Sequence, residues 1–395
     1  MLKQKISGLF DDFFHSEKTG GIILIICTLV SILISNSSAG ESYLHFWHHK
    51  IGFEQSALDL YHPLEYWIND GLMAIFFLMI GLEIEREVYI GELSNFKNAL
   101  LPIFAAMGGM ILPALLHFAF NANTATQSGI GIPMATDIAF ALGILSLLGN
   151  RVPVSLKIFL AALAIIDDLG AIIVIALFYT NDFSLTYFLA ALGIFGMLLL
   201  FNRLRIHKII FYLIPGIVMW YCMLQSGIHA TVTGVLLAFA IPFGNGDKDS
   251  PSYGLQLFLH KPVAFIILPL FALANTGIVF NSQWLSGLVS TNSIGIIAGL
   301  ILGKPLGIFL FCFVAVKAGI CMLPGDIEWK HVIGCGMLGG IGFTMSIFIS
   351  LLAFDNPEII VDSKIAVLLG SVLSGLLGFV FFFVLSKKNS QIKIV

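Results

Sequence analysis

The chain has 395 residues, 58% of them hydrophobic and only 11% charged, against the roughly 25% charged that is usual for a soluble domain. Its formal net charge is −3, and no basic cluster lies away from the ends of apolar runs, which excludes nucleic acid as a partner. A composition this apolar belongs in a lipid bilayer.

Residues 1–18 mix Lys3, Lys5 and Lys18 with Asp11, Asp12 and Glu17, and place Leu9, Phe10, Phe13 and Phe14 as on the apolar side of a short interfacial helix. This leader is too long and too acidic for a cleaved secretory signal, so the apolar run after it is expected to be retained as a first span. Runs of about 17–25 apolar residues begin near Gly20, Tyr66, Ala99, Gly129, Val154, Ser184, Ile206, Gln225, Leu259, Gly295, His331 and Ile365. Twelve spans with short loops leave no separate soluble domain, so residues 1–395 are expected to form one all-α polytopic membrane domain. If both termini are cytoplasmic, the 20 Lys and Arg all fall on the inner side except Lys50 and Lys364 outside and Lys304 within a span. That is the asymmetry the positive-inside rule requires.

The first outer loop, residues 40–57, contains "ESYLHFWHHK". His45, His48 and His49 suggest a metal, but no carboxylate or cysteine completes a credible ligand set, and no structural metal is expected. Cys27, Cys222, Cys312, Cys321 and Cys335 are scattered through apolar segments without CxxC spacing, as small buried hydrophobes are.

Four charges sit where charge is expensive, since an ionisable side chain at the bilayer centre costs at least about 2.5–3.5 kcal/mol. Asp137 is near the middle of the fourth span, Asp167 and Asp168 near the middle of the fifth, and Lys304 near the middle of the tenth. Three spans thus bring charge to one depth, as a shared polar site requires. Hydrogen bonding between helices alone would be served more cheaply by Asn, Ser or Thr. Adjacent helical residues point about 100° apart, so the two aspartates should have different tasks: one paired with Lys304, the other meeting Asp137 across a wet cavity. Desolvated carboxylates left without a fixed cation can be neutralised by a proton or by a small hard cation, and a site that takes either but not both is the minimal machine for exchange.

Around Asp137 the sequence reads "GIPMATDIAFALG", where Pro133 removes an amide donor and Thr136 offers a hydroxyl. The eleventh span reads "VIGCGMLGGIGFTMSIF", its five glycines poor chemistry for an intact helix. Alone, those glycines would indicate close helix packing. Together with the midplane charges, two interrupted spans in corresponding places of two halves point to a transporter of inverted repeats.

The segments "AIIDDLGAIIVIALFYT", "MATDIAFALGIL", "LGKPLGIF", "GGIGFTMSIFISLLAF", "SGIHATVTGV" and "WINDGLMAIFFLMIGLEIERE" strongly resemble the NhaA-type sodium/proton antiporters of bacterial inner membranes. That family is itself a known case of inverted-repeat transporters, so the resemblance and the fold expectation are not independent. It implies twelve helices, with spans 3–5 and 10–12 as inverted repeats and spans 4 and 11 broken and crossing at mid-membrane. Asp137 and Lys304 would compensate the facing half-helix ends. Asp168 matches the main sodium- and proton-carrying carboxylate, Asp167 the accessory one paired with Lys304, and Thr136 and Asp137 the crossing segment of the cation site. The implied activity is electrogenic exchange by alternating access, sodium or lithium out and protons in, activated at alkaline pH and serving pH and sodium homeostasis, with no cofactor. Glu83, Arg86, Glu87 and His229 match pH-regulatory positions. Gln256 stands where relatives carry a glutamate, and Glu85 replaces a more usual basic residue, so the pH profile is expected to be shifted or flatter. Residues 40–57 would form a β-hairpin that joins two protomers.

Two other classes compete with this reading. An ion channel would use an acidic midplane without coupling, but paired buried charges and broken helices suit an occluding site better than an open row of weak ones. An intramembrane aspartyl protease also needs two carboxylates, yet neither aspartate lies in a GxGD motif and there is no HExxH. The chain is therefore expected not to be an enzyme.

Overall fold

The computed structural model describes residues 2–52, 54–55, 58–180, 183–244, 246, 250–280 and 284–392. They are mostly helical. Helix α1 runs without interruption over Leu2–Ser35. No backbone break separates the expected interfacial helix within residues 1–18 from the first span, because the segment holds no proline. A sharp bend of 119° leads into α2, Gly40–Trp47. The outer loop is thus helical where a hairpin was expected from residue 40, and the strands lie further on. β1 (Lys50–Ile51) pairs antiparallel with β4 (His62–Pro63), in the register Lys50↔Pro63 and Ile51↔His62. Between them β2 (Glu54–Gln55) pairs with β3 (Leu58–Asp59). At Gly52 φ is +126° and an added Cβ would collide with the Leu60 carbonyl, so the kink between the two ladders requires glycine.

The chain continues through α3 (Leu64–Tyr89), α4 (Phe96–Asn121), a 3₁₀ segment (Gln127–Met134), α5 (Ile138–Leu147), α6 (Val154–Phe178) and α7 (Leu185–Arg203). It then forms α8 (Ile210–Gln225), α9 (Val232–Ala240), α10 (Pro251–Asn275), α11 (Trp284–Leu288) and α12 (Thr291–Lys317). The last helices are α13 (Trp329–Gly339), α14 (Phe343–Ala353) and α15 (Pro357–Ile392). Among the described residues eight helical segments are long and apolar enough to cross a membrane, or ten if each of two bent pairs counts as one. The seventh and eighth expected runs are the ones that fall short, at 16 residues in α8 and 9 in α9. A helix of the latter length spans about 14 Å. The turn at "SGIHAT", where Gly227 has φ +81°, cuts these runs short.

Packing divides the chain into two compact units. The first comprises residues 1–23, 95–171 and 280–395, and so gathers the expected third, fourth and tenth to twelfth spans with the fifth as far as Ala171. Within it α4 and α12 approach through Gly108 and Gly307: a Cβ on either would collide with the carbonyl of the other, the small-residue contact by which helices pack in lipid. The second unit comprises residues 24–94 and 172–279. There Gly234 of α9 lies against the backbone of α3 at Ala74.

Candidate cation site

The first unit contains two interruptions, and the charged residues collect around them. The 3₁₀ segment ends at Met134, residues 135–137 are non-helical, and α5 starts at Ile138. Pro133 lacks the N–H that would continue a ladder there. In the other interruption α13 ends at Gly339 and α14 begins at Phe343, with a bend of 49°. The two interruptions are tied directly, because the Asp137 amide donates to the Ile341 carbonyl at 2.6 Å.

Asp137 is buried and stands at the starts of two helices. Its Oδ1 accepts from the Phe140 amide at 3.1 Å as the N-cap of α5. Its Oδ2 accepts from the Thr344 amide at 3.1 Å and the Thr344 hydroxyl at 2.5 Å, in the first turn of α14. A carboxylate there satisfies orphan amides and meets the positive ends of two helix dipoles at once. Thr344 was not singled out from the sequence, although its position two residues past Gly342 is a signal for a helix start.

Lys304 lies where a π-helical stretch, Gly299–Gly303, gives way to regular helix within α12. Pro305 has no N–H to donate, and the widened register before it accommodates the missing bond. Lys304 and Asp167 are both 0% exposed, and Nζ donates to Asp167 Oδ2 at 2.5 Å. Nζ also donates to Thr136 Oγ1 at 2.9 Å. The Thr136 hydroxyl lies 2.7 Å from Asp167 Oδ2 and 2.8 Å from the Gly339 carbonyl. Having one proton, it donates to one of them at a time. Asp168, 2% exposed, is close enough to Lys304 to act on it electrostatically.

Of the two adjacent aspartates it is therefore Asp167 that meets Lys304, while the Asp137 carboxylate accepts from the starts of two helices. One fixed cation faces two carboxylates in a region closed to water. Carboxylates that outnumber fixed cations in such a place can accept a proton or a bare monovalent cation.

The other singled-out residues belong to the second unit. Arg86 Nη2 is 2.9 Å from Glu87 Oε1 and 3.7 Å from Glu83 Oε1 at the end of α3. Gln256 is buried in α10, one turn from Ser252, whose hydroxyl donates to Glu85 Oε2 at 2.8 Å. The acid at position 85 is thus buried and hydrogen-bonded rather than solvated. His229 lies in the turn between α8 and α9. In the outer loop His45, His48 and His49 are exposed, and His48 lies 3.5 Å from Glu65. Among the described residues no group of three or more His, Cys, Asp or Glu is arranged to hold a metal ion.

Residues 11–382 match the family model described as Na+/H+ antiporter 1. A Na(+)/H(+) antiporter NhaA of Flavobacterium psychrophilum is 63% identical over 375 residues, covering 95% of this chain and 96% of the relative. One of Dechloromonas aromatica is 59% identical over 391 residues, covering 98% of each. One of Yersinia enterocolitica is 48% identical over 377 residues, covering 95% and 96%. A match along nearly the whole length, together with apolar helices able to cross a bilayer, makes the chain a multi-pass member of the Na+/H+ antiporter 1 family, a family of transporters and not of enzymes.

Proposed function

We propose that this protein is a secondary active sodium/proton antiporter of the bacterial inner membrane, exporting sodium or lithium in exchange for inward protons by alternating access. The observation that carries the reading is the fully buried Asp167–Lys304 pair, with Asp168 beside it and Thr136 bridging it to an interrupted helix. In this reading Asp168 carries the transported ion. Sodium and protons compete for its oxygens, so each can be loaded only after the other has left, and that exclusion is the coupling. Asp167 is the accessory carboxylate, held by Lys304 when the site lacks sodium and released toward the cation when sodium enters. Asp137 keeps the two helix starts together and Lys304 balances the opposite ends. Two proton-accepting groups per cation make exchange electrogenic. Protons also compete for the site, so rising pH favours the sodium form and activates transport. Glu83, Arg86, Glu87, His229 and Gln256 tune that response, and the pH and sodium content of the cell are what it maintains.

The same reading gives the chain twelve crossings, with α8 and α9 as two short ones and both termini cytoplasmic, in line with the distribution of Lys and Arg. Spans 3–5 and 10–12 are inverted repeats whose broken members cross at mid-membrane, and the outer hairpin joins two protomers. Sodium added to proteoliposomes with an acidic lumen tests the core of this. Wild type should alkalinise the lumen in a sodium-dependent way, and Asp168→Asn should abolish it. Unchanged alkalinisation in the variant removes Asp168 from its role, and none in wild type at any pH removes exchange itself.

A further inference from the structure

Helix α13 opens on "EWKH", and its histidine holds a place usually taken by glutamate or glutamine. Glu328 is the N-cap, and His331, at the third helical position, reaches back so that the Glu328 amide donates to its Nδ1 at 2.9 Å. This is one half of a capping box, in which a side-chain oxygen at the third position meets the N-cap amide. An imidazole nitrogen can replace that oxygen only while it carries no proton. Because a backbone N–H is always a donor, the contact fixes the ring as neutral, with its proton on Nε2.

Protonation of Nδ1 would set one N–H against another and put a positive charge at the positive end of the helix dipole. Both effects act against the cap. Glu328, Lys330 and Asp326 act on the ring electrostatically. The Glu328 carboxylate lies 2.7 Å from Lys330 Nζ, and the Asp326 carboxylate accepts from the Ser155 hydroxyl of α6 at 2.5 Å. The helices packed against α13 bring cations to this end. Lys317 of α12 lies over the Phe313 ring, and Lys387 of α15 lies with Arg151 over Phe383. Such charges set the pH at which the ring takes up its proton. They cannot make an imidazolium accept a hydrogen bond.

From this cap α13 leads to the candidate cation site. Its far end carries the Gly339 carbonyl, 2.8 Å from the Thr136 hydroxyl, and a Cβ on Gly336 would collide with the backbone of Pro305, next to Lys304. The helix has only 11 residues, about three turns, so its first turn is a large part of it. His331 is packed but not sealed off, with 7% of its surface exposed.

We propose that His331 is a pH-sensitive cap: neutral, it holds the start of α13, and protonated, it releases that turn and loosens the seat of α13 beside the cation site. The cap is present at high pH and lost as pH falls through the imidazole range, the same sign as alkaline activation. Its effect on transport rests on the exchange reading, whereas the release of the turn does not.

Hydrogen exchange of the full-length protein in phospholipid vesicles tests this, read by mass on peptides covering residues 327–334 and corrected for the intrinsic effect of pH. Wild type should lose protection there about fivefold between about pH 8 and about pH 5.5, the worth of one cap. His331→Gln, whose amide oxygen accepts at any pH, should keep its protection throughout. If that variant does not fold, His331→Ala decides, since it lacks an acceptor and should show the low value at both ends of the range. In a pH series, sodium-driven lumen alkalinisation should decline less steeply on acidification in His331→Gln than in wild type. Wild-type protection indifferent to pH, or either variant losing protection with acid as wild type does, overturns the proposal. An unchanged transport profile in His331→Gln overturns it as well. Absence of exchange in wild type at any pH overturns the antiport reading alone, and the hydrogen-exchange result then decides on the cap by itself.

Discussion

Lys304 and Asp167 are each tolerable inside the first unit only because of the other. A buried ion pair contributes little against an apolar replacement of equal shape, but removal of one partner strands a charge and costs about 3–5 kcal/mol. Lys304→Ala should therefore lower the thermal unfolding midpoint of the purified protein sharply. Asp167→Asn in the same background should recover part of the loss, and a double-mutant cycle on the unfolding midpoints measures the coupling. Simple addition of the two single losses would mean that the 2.5 Å contact carries no coupling energy. The adjacent Asp168 lies about 100° further round α6. That angular step turns the two adjacent carboxylates in different directions, so that one of them holds the lysine.

At the scale of elements, the interruptions matter as much as the charges. Asp137 accepts from the Phe140 amide at the start of α5 and from the Thr344 amide and hydroxyl at the start of α14. Asp137→Asn turns one acceptor into a donor facing other donors, and should cost about 1–3 kcal/mol. Asp137→Ala should cost more, since it uncaps both helices, and thermal melts of the two variants check the order. The α4–α12 contact is a second element-scale constraint, because neither Gly108 nor Gly307 has room for a side chain. Gly307→Leu should force the helices apart one turn from Lys304, and a monodisperse, fully active Gly307→Leu protein would refute that.

For the whole molecule, the hairpin formed by β1 to β4 stands outside the transport chemistry, and the proposed dimer depends on it. Replacing residues 54–59 by a short glycine-serine turn should convert dimer to monomer in light scattering while leaving sodium-driven lumen alkalinisation in place. A dimer that persists would move the interface elsewhere. The division into units bears on the chemistry too. Asp137, Asp167, Asp168, Thr136 and Lys304 all belong to the first unit, whereas Glu83, Arg86, Glu87, His229 and Gln256 all belong to the second. The residues proposed for ion binding and those proposed for pH tuning thus reside in different packing units.

The membrane setting, the approximate spans, the expensive charges and the two interruptions were legible in the sequence because each follows from local chemistry. Insertion into hydrocarbon depends on the apolar content of a short run, and a proline or glycine weakens a helix wherever it occurs. Which groups meet was decided by tertiary structure. Spacing alone could not choose between Asp167 and Asp168 as the partner of Lys304, or place Thr344 against Asp137 some two hundred positions away, since such contacts depend on how distant helices pack. The continuous α1, the short α8 and α9, and a hairpin that starts after a helix also departed from the expected boundaries, because apolar composition marks a segment's environment more sharply than its ends.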